Sequence, residues 1–182
     1  MGYPPLVHQL IAFLSFIGGL KFGLFTVAIL SVILFITGVY RFSLLITSNR
    51  KAAGYAALLA VFSSSFVETL HIFGQLPSIM GISILMHATP EIYLWLKLGK
   101  YKYLWTSLSL IAVTVCSHHV TPIFGMVFFI FPLIGMVIMD ASREQVKTMK
   151  EITFKIFFGT FIKLFKRIVG FGFLSLILIV VC

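Results

Sequence analysis

The stretch "FGLFTVAILSVILFITGVYRFSLLITSNRK", residues 22–51, decides what kind of protein this is. From Phe22 to Thr47 it is almost wholly apolar. At ~1.5 Å of rise per residue, a helix of that length outspans the ~30 Å hydrocarbon core of a bilayer, with room for tilt. The run stops at "TSNRK", where Arg50 and Lys51 would meet headgroups and water.

The rest of the chain repeats that pattern. Hydrophobic residues make up 60% of it and charged residues only 10%, with a mean hydropathy of +1.10. Soluble domains carry roughly 25% charged residues, so a water-soluble globule is excluded. Further spans are expected at Ala52–Ile72, Ser78–Leu96, Leu104–Cys116 and Pro122–Met139. Ahead of them, Leu6–Gly18 is too short to cross. Its Leu6, Leu10, Phe13, Leu14 and Ile17 recur at helical spacing, which predicts a short juxtamembrane helix ending in "GGLK". After the spans comes the one polar loop, "DASREQVKTMKE", and then a basic amphipathic helix over Ile152–Arg167. Ile168–Cys182 is short of the roughly 20 residues a span needs and reads as a truncated last one. The expected fold is all-α: a polytopic transmembrane helix bundle of about five full spans, with the short N-terminal helix and the truncated last span. It forms a single membrane domain over residues 1–182, in which 140–167 make a cytoplasmic loop and the basic helix. The chain is expected to be a fragment of a longer protein.

Net charge is +9, from fourteen Lys and Arg against five acidic residues, Glu68, Glu91, Asp140, Glu144 and Glu151. The basic residues sit in short gaps between apolar runs, which points to anionic lipid rather than nucleic acid as the partner. Arg50 and Lys51, then Lys97, Lys100 and Lys102, then Arg143, Lys147 and Lys150 are separated by two spans each, so all three clusters are expected on the cytoplasmic side. Cys116 and Cys182 offer neither a disulfide framework nor a metal spacing. Cys116 is expected to be a small buried residue.

The opposite side then gathers "VETLHIFGQLPS" and "SHHVTP", with His8 joining them if the first helix does not cross. Glu68 and His71 are three residues apart and share a helical face, so they suit a divalent metal or a diphosphate–metal complex; the alternative is a hydrogen-bonded pair at the interface. His118 and His119 point about 100° apart on a helix and can serve one spot only where the helix ends. Pro122 supplies such an end by pushing Thr121 out of the helical region. Their roles could be phosphate binding, metal ligation or acid–base work; the alternative is contact with headgroups. Gln75 ahead of Pro77 can donate and accept in a polar pocket. Glu91 is expected to pair with Lys97 or anchor the helix end, and His87 to be structural.

Three motifs in order, "YPPLVHQLIAFLSFIGG" (3–19), "FGQLPSIMG" (73–81) and "SHHVTPIFG" (117–125), resemble the GT-C superfamily. These are polytopic glycosyltransferases that use lipid-phosphate-linked sugars. The nearest likeness is to the membrane proteins labelled 6-pyruvoyl-tetrahydropterin-synthase-related, a label that does not carry the soluble synthase's fold. The resemblance implies transfer of a sugar from a polyprenyl-phosphate donor on the extracytoplasmic face of a prokaryotic plasma membrane. Tyr3, Pro4 and Pro5 would shape the outer loop, and His118 and His119 would contact the donor's phosphate or the metal; His71 and Gln75, from their own chemistry, join them as candidate substrate-binding residues. Glu68, with His118, would hold a divalent ion such as Mg or Mn. Haem and nucleotide cofactors are not expected. The family's catalytic aspartate precedes the proline motif, where this sequence begins, so the chain alone is expected to be inactive, with a second chain as one source of the missing spans. A transporter or channel subunit lined by broken helices is the alternative. A haem carrier is a third, and would need histidines spaced along two facing spans.

Overall fold

In a computed structural model of the chain, residues 6–71, 74–144 and 154–181 are described. Regular structure among them is entirely helical. In order come α1 (Leu6–Thr47), α2 (Arg50–Val61), α3 (Ser64–His71), α4 (Leu76–Leu98), α5 (Tyr101–Ser117), α6 (Thr121–Arg143) and α7 (Phe154–Val181). Among the described residues, α1, α4 and α6 are each long and apolar enough to cross a membrane. The all-α, membrane-embedded expectation therefore holds, while the expected count of about five spans does not follow from helix length alone. α5 has 17 residues, fewer than the roughly 20 of a full span. The expected span Ala52–Ile72 is broken: α2 and α3 meet at a bend of 48° and make a fourth span only if taken together. The break falls at "FSSS", where Ser63 Oγ donates to the Ala60 carbonyl at 2.8 Å. Serine competes in this way with the helix's own hydrogen bonds.

α1 is two arms rather than one rod. At Gly18 and Gly19 the backbone leaves the helix, Gly19 taking φ +80, and residues 6–17 fold back along residues 20–47. The arms touch backbone to backbone, since a Cβ on Gly23 would lie 2.6 Å from the Ile11 carbonyl oxygen. The short helix expected before "GGLK" is present, but its inward stripe differs. Val7 and Ile11 are buried against Val27, Met80 and Ile84, while Phe13, Phe16 and Ile17 are exposed. In α6 a π-helical segment covers Met126–Ile130, next to Pro132, which has no N–H to give the α-helical ladder. α7 runs unbroken through Arg167, where a surface helix was expected to end and a span to begin. Arg167 need not mark an end, because Nη1 donates to the carbonyls of Leu96 at 2.9 Å and Lys97 at 3.0 Å. Those oxygens belong to the last turn of α4, which has no intrahelical donors left for them.

α4 is the axis of the bundle. Leu85, Ala88, Ile92 and Leu96 are buried against Leu104, Leu108 and Ile111 of α5 and against Leu133 and Val137 of α6. Cross-helix bonds fix directions. Ser83 Oγ donates to the Ser31 carbonyl, His87 bonds to the Leu34 carbonyl and Thr37, and Arg41 pairs with Glu91, so α1 and α4 run parallel. Tyr93 donates to Asp140, and Lys97 pairs with Glu144 at 3.1 Å, so α4 and α6 also run parallel. The C-terminal ends of all three helices therefore share one end of the bundle, which brings Arg50–Lys51, Lys97 and Arg143 together there. His87, expected to be structural, bridges α4 to α1 through its bonds to the Leu34 carbonyl and Thr37. Glu91 is not the partner of Lys97. It is held by Arg41 across α1, because it lies on the stripe that repeats every four residues through Ser83 and His87.

The Arg41–Glu91 pair is lopsided. The Glu91 side chain is 6% exposed and that of Arg41 is 50% exposed. Removing the partner of a buried charge is the costly direction, whereas a long cation can swing toward water. Arg41→Met is expected to lower stability by about 3 kcal/mol and Glu91→Leu by about 1 kcal/mol or less. Thermal unfolding of both variants in one detergent checks this, and equal losses would refute it.

Candidate functional site

The end of the bundle opposite the ion pairs is built from the α2–α3 break, the start of α4 and the α5–α6 turn. α5 stops at Ser117, and His118 is extended, with φ −161 and ψ 103. The chain turns sharply there, Thr121 N–H donating to the His118 carbonyl at 3.1 Å. The helix break expected at "SHHVTP" is real, but it falls at His118 rather than at Thr121, which already begins α6. Pro122 sits in the first turn of the new helix, where its missing donor is tolerated.

The turn lies directly on α4 because residue 81 is glycine. A Cβ there would stand 2.9 Å from Thr121 Oγ1 and 3.2 Å from the His118 Cβ. The close approach lets His118 complete a chain of neutral polar groups. Its Nδ1 is 2.9 Å from Thr121 Oγ1, its Nε2 is 3.3 Å from Ser78 Oγ, and Ser78 donates to Gln75 Oε1 at 3.3 Å. With the Ser78 hydrogen committed to Gln75, the consistent tautomer has Nε2–H donating to Ser78 and Nδ1 accepting from Thr121. Burial, followed by repulsion from His119, holds the His118 imidazole below its ordinary pKa of 6.5, so the ring is neutral at pH 7.

These four residues are part of the lining of a cavity of about 420 Å³. Ser63, Ser65 and Thr69 add hydroxyls from the α2–α3 region, while Phe35, Phe66, Ile82, Phe124 and Phe129 form apolar wall. Phe35 and Phe66 stack with ring centroids 4.4 Å apart, tying α3 to α1. No Lys, Arg, Asp or Glu is among the described lining residues. The described lining is amphipathic and carries no acidic or basic side chain other than the His118 imidazole.

Of the residues singled out from the sequence, Gln75 and His118 come together here. His119 is exposed on the turn, its ring 6.0 Å from that of His118, and does not line the cavity. Glu68 is exposed on α3 and is also absent from the lining. His71 is the last residue of α3, and its side chain lies outside the described residues, as do Tyr3, Pro4 and Pro5. His8 is exposed on the first arm of α1. Cys116 is only partly buried. No three His, Cys, Asp or Glu side chains converge on a metal-sized site among the described residues. Ser78, Thr121 and the α3 hydroxyls were missed in the sequence. The available signal was spacing: Ser78 follows Gln75 by three residues, and Thr121 follows His118 by three.

Comparison with protein-family models, curated proteins and solved structures gives no match to this chain.

Two outcomes follow from this geometry. Gly81→Ala is expected to push the turn off α4 and cost about 1–2 kcal/mol, the range for overpacking a close contact; thermal unfolding beside a control, Gly54→Ala, where an added Cβ meets no atom within 4 Å, measures it. The second is a pH effect. Because the folded state binds the His118 proton less readily than the unfolded chain, stability is full above about pH 6.5 and falls as pH drops below it. The melting temperature should decline between pH 7.5 and pH 5, and His118→Asn should remove part of that decline. An identical decline in the variant would show that His118 is not its source.

Proposed function

We propose that this chain is the lipid-handling part of a GT-C-like membrane glycosyltransferase, with its cavity receiving the polar head of a lipid substrate. The observation that carries the reading is the mixed lining of the cavity, in which Gln75, Ser78, His118 and Thr121 stand among Phe35, Phe66, Phe124 and Phe129. An amphiphile needs that pairing: hydrogen bonds for a head that has left water, and apolar surface for the first carbons of its tail. Five crossings result when α2 and α3 are counted as one span and α5 as another. The basic residues then mark the cytoplasmic side, and the cavity opens toward the extracytoplasmic half of a plasma membrane.

In this reading a polyprenyl-phosphate donor supplies the sugar, and a divalent ion offsets the charge of the leaving phosphate. The described lining holds no carboxylate, so the task assigned to this cavity is binding and orientation rather than proton abstraction. A transport role is the second reading, favoured by the α2–α3 bend beside the cavity, since broken helices commonly line substrate paths.

Purified protein in nanodiscs, assayed by native mass spectrometry, is expected to retain a membrane lipid that His118→Ala and Gln75→Leu release. Retention equal in wild type and variants would sink the lipid-site reading. Solute flux in proteoliposomes that His118→Ala abolishes, with no lipid retained, would favour transport instead.

A further inference from the structure

We infer that the lipid this cavity takes is an uncharged lipid alcohol, the acceptor side of such a transfer, and not the phosphate-bearing donor. The inference rests on the lipid-site reading above and specifies its ligand. A buried phosphate needs compensating cations or converging N–H donors. The described lining provides no Lys or Arg, and its one imidazole is engaged on both nitrogens by hydroxyls. Three cations whose partners are defined, Arg41, Lys97 and Arg167, are occupied at the other end of the bundle by Glu91, by Glu144 and by the α4 carbonyls.

Helix N-termini are the other source of anion affinity, and two of them, those of α4 and α6, meet at the cavity. Both are blunted. Each carries a proline in its first turn, Pro77 and Pro122, which removes one donor. Most of the neighbouring N–H groups are turned inward. Leu76 donates to the Gly74 carbonyl, Ile79 to that of Gln75, and Ile123 and Phe124 to that of Val120. The polar groups of the described lining are hydroxyls, an amide and a neutral ring. These groups both donate and accept, which is what a hydroxyl head requires and a phosphate cannot use in full.

The test uses the full chain in nanodiscs with three photo-crosslinkable probes at pH 7.5: a long-chain polyprenol, a diacylglycerol and the same polyprenol as its monophosphate. Either alcohol, or both, should crosslink to the α4–α6 segment about tenfold more than the monophosphate at equal concentration. His118→Phe should reduce alcohol capture by a similar factor, while Glu68→Gln leaves it unchanged. The two alcohol arms tell an isoprenoid acceptor from a glycerolipid one. Ser65→Lys, at the exposed rim, keeps the inference testable if His118→Phe fails to fold: adding a cation should raise monophosphate capture toward that of the alcohol. Preferential, His118-dependent capture of the monophosphate by the unaltered chain would overturn the uncharged-head inference and leave the lipid site standing. Capture of none of the three would remove both.

Discussion

The register between α1 and α4 is the constraint from which the remaining geometry follows. Lipid tails are as apolar as leucine, so helices inside a bilayer gain little from hiding apolar surface and are aligned by packing and by the polar groups they share. Here those groups form successive rungs: Ser31 with Ser83, Thr37 and the Leu34 carbonyl with His87, and Arg41 with Glu91. Sliding either helix by a turn would separate every rung at once and leave Glu91 buried without a partner. One alignment is therefore far better than its neighbours.

That alignment decides where the chain's irregularities fall. With α1 and α4 parallel, α2 and α3 have to return the chain along the bundle, and the serine-rich break between them arrives beside the start of α4. With α4 and α6 also parallel, the α5–α6 turn comes back to that same end, where the missing side chain at Gly81 allows it to settle on α4. The ion pairs and the cavity are thus at opposite ends for one reason. The charged rungs use the C-terminal halves of three parallel helices, and the breaks occupy the N-terminal ends of two of them.

The chemistry of the cavity follows from the same packing. His118 is drawn between α4 and α6, and Ser78 and Thr121 take up its two nitrogens, so the ring acts as a fixed hydrogen-bonding element rather than a charge. The prolines that start α4 and α6 are there because a helix tolerates proline in its first turn, and they also weaken the pull those termini would exert on an anion. A pocket whose described lining is neutral, partly hydroxylated and partly aromatic is the consequence.

Much of this was legible in the residues. Apolar runs of spanning length, the basic gaps between them, the glycine pair that ends the first short helix and the break at "SHHVTP" are local signals, set by hydropathy and backbone preference, and they located the ends of α4, α5 and α6 to within a few residues, but neither the α2–α3 break nor the unbroken α7. The partner of Glu91 was not legible, since Lys97 is near in sequence whereas Arg41 is fifty residues away and meets it only once α1 and α4 lie parallel. Nor was the division among the polar residues, in which Gln75 and His118 join Ser78 and Thr121 while Glu68 and His119 face outward. Composition and periodicity determine that a segment is a helix and that a membrane can hold it. Which of its faces meets which neighbour is a non-local question, answered here by a glycine that admits a close approach and by polar groups that must be paired.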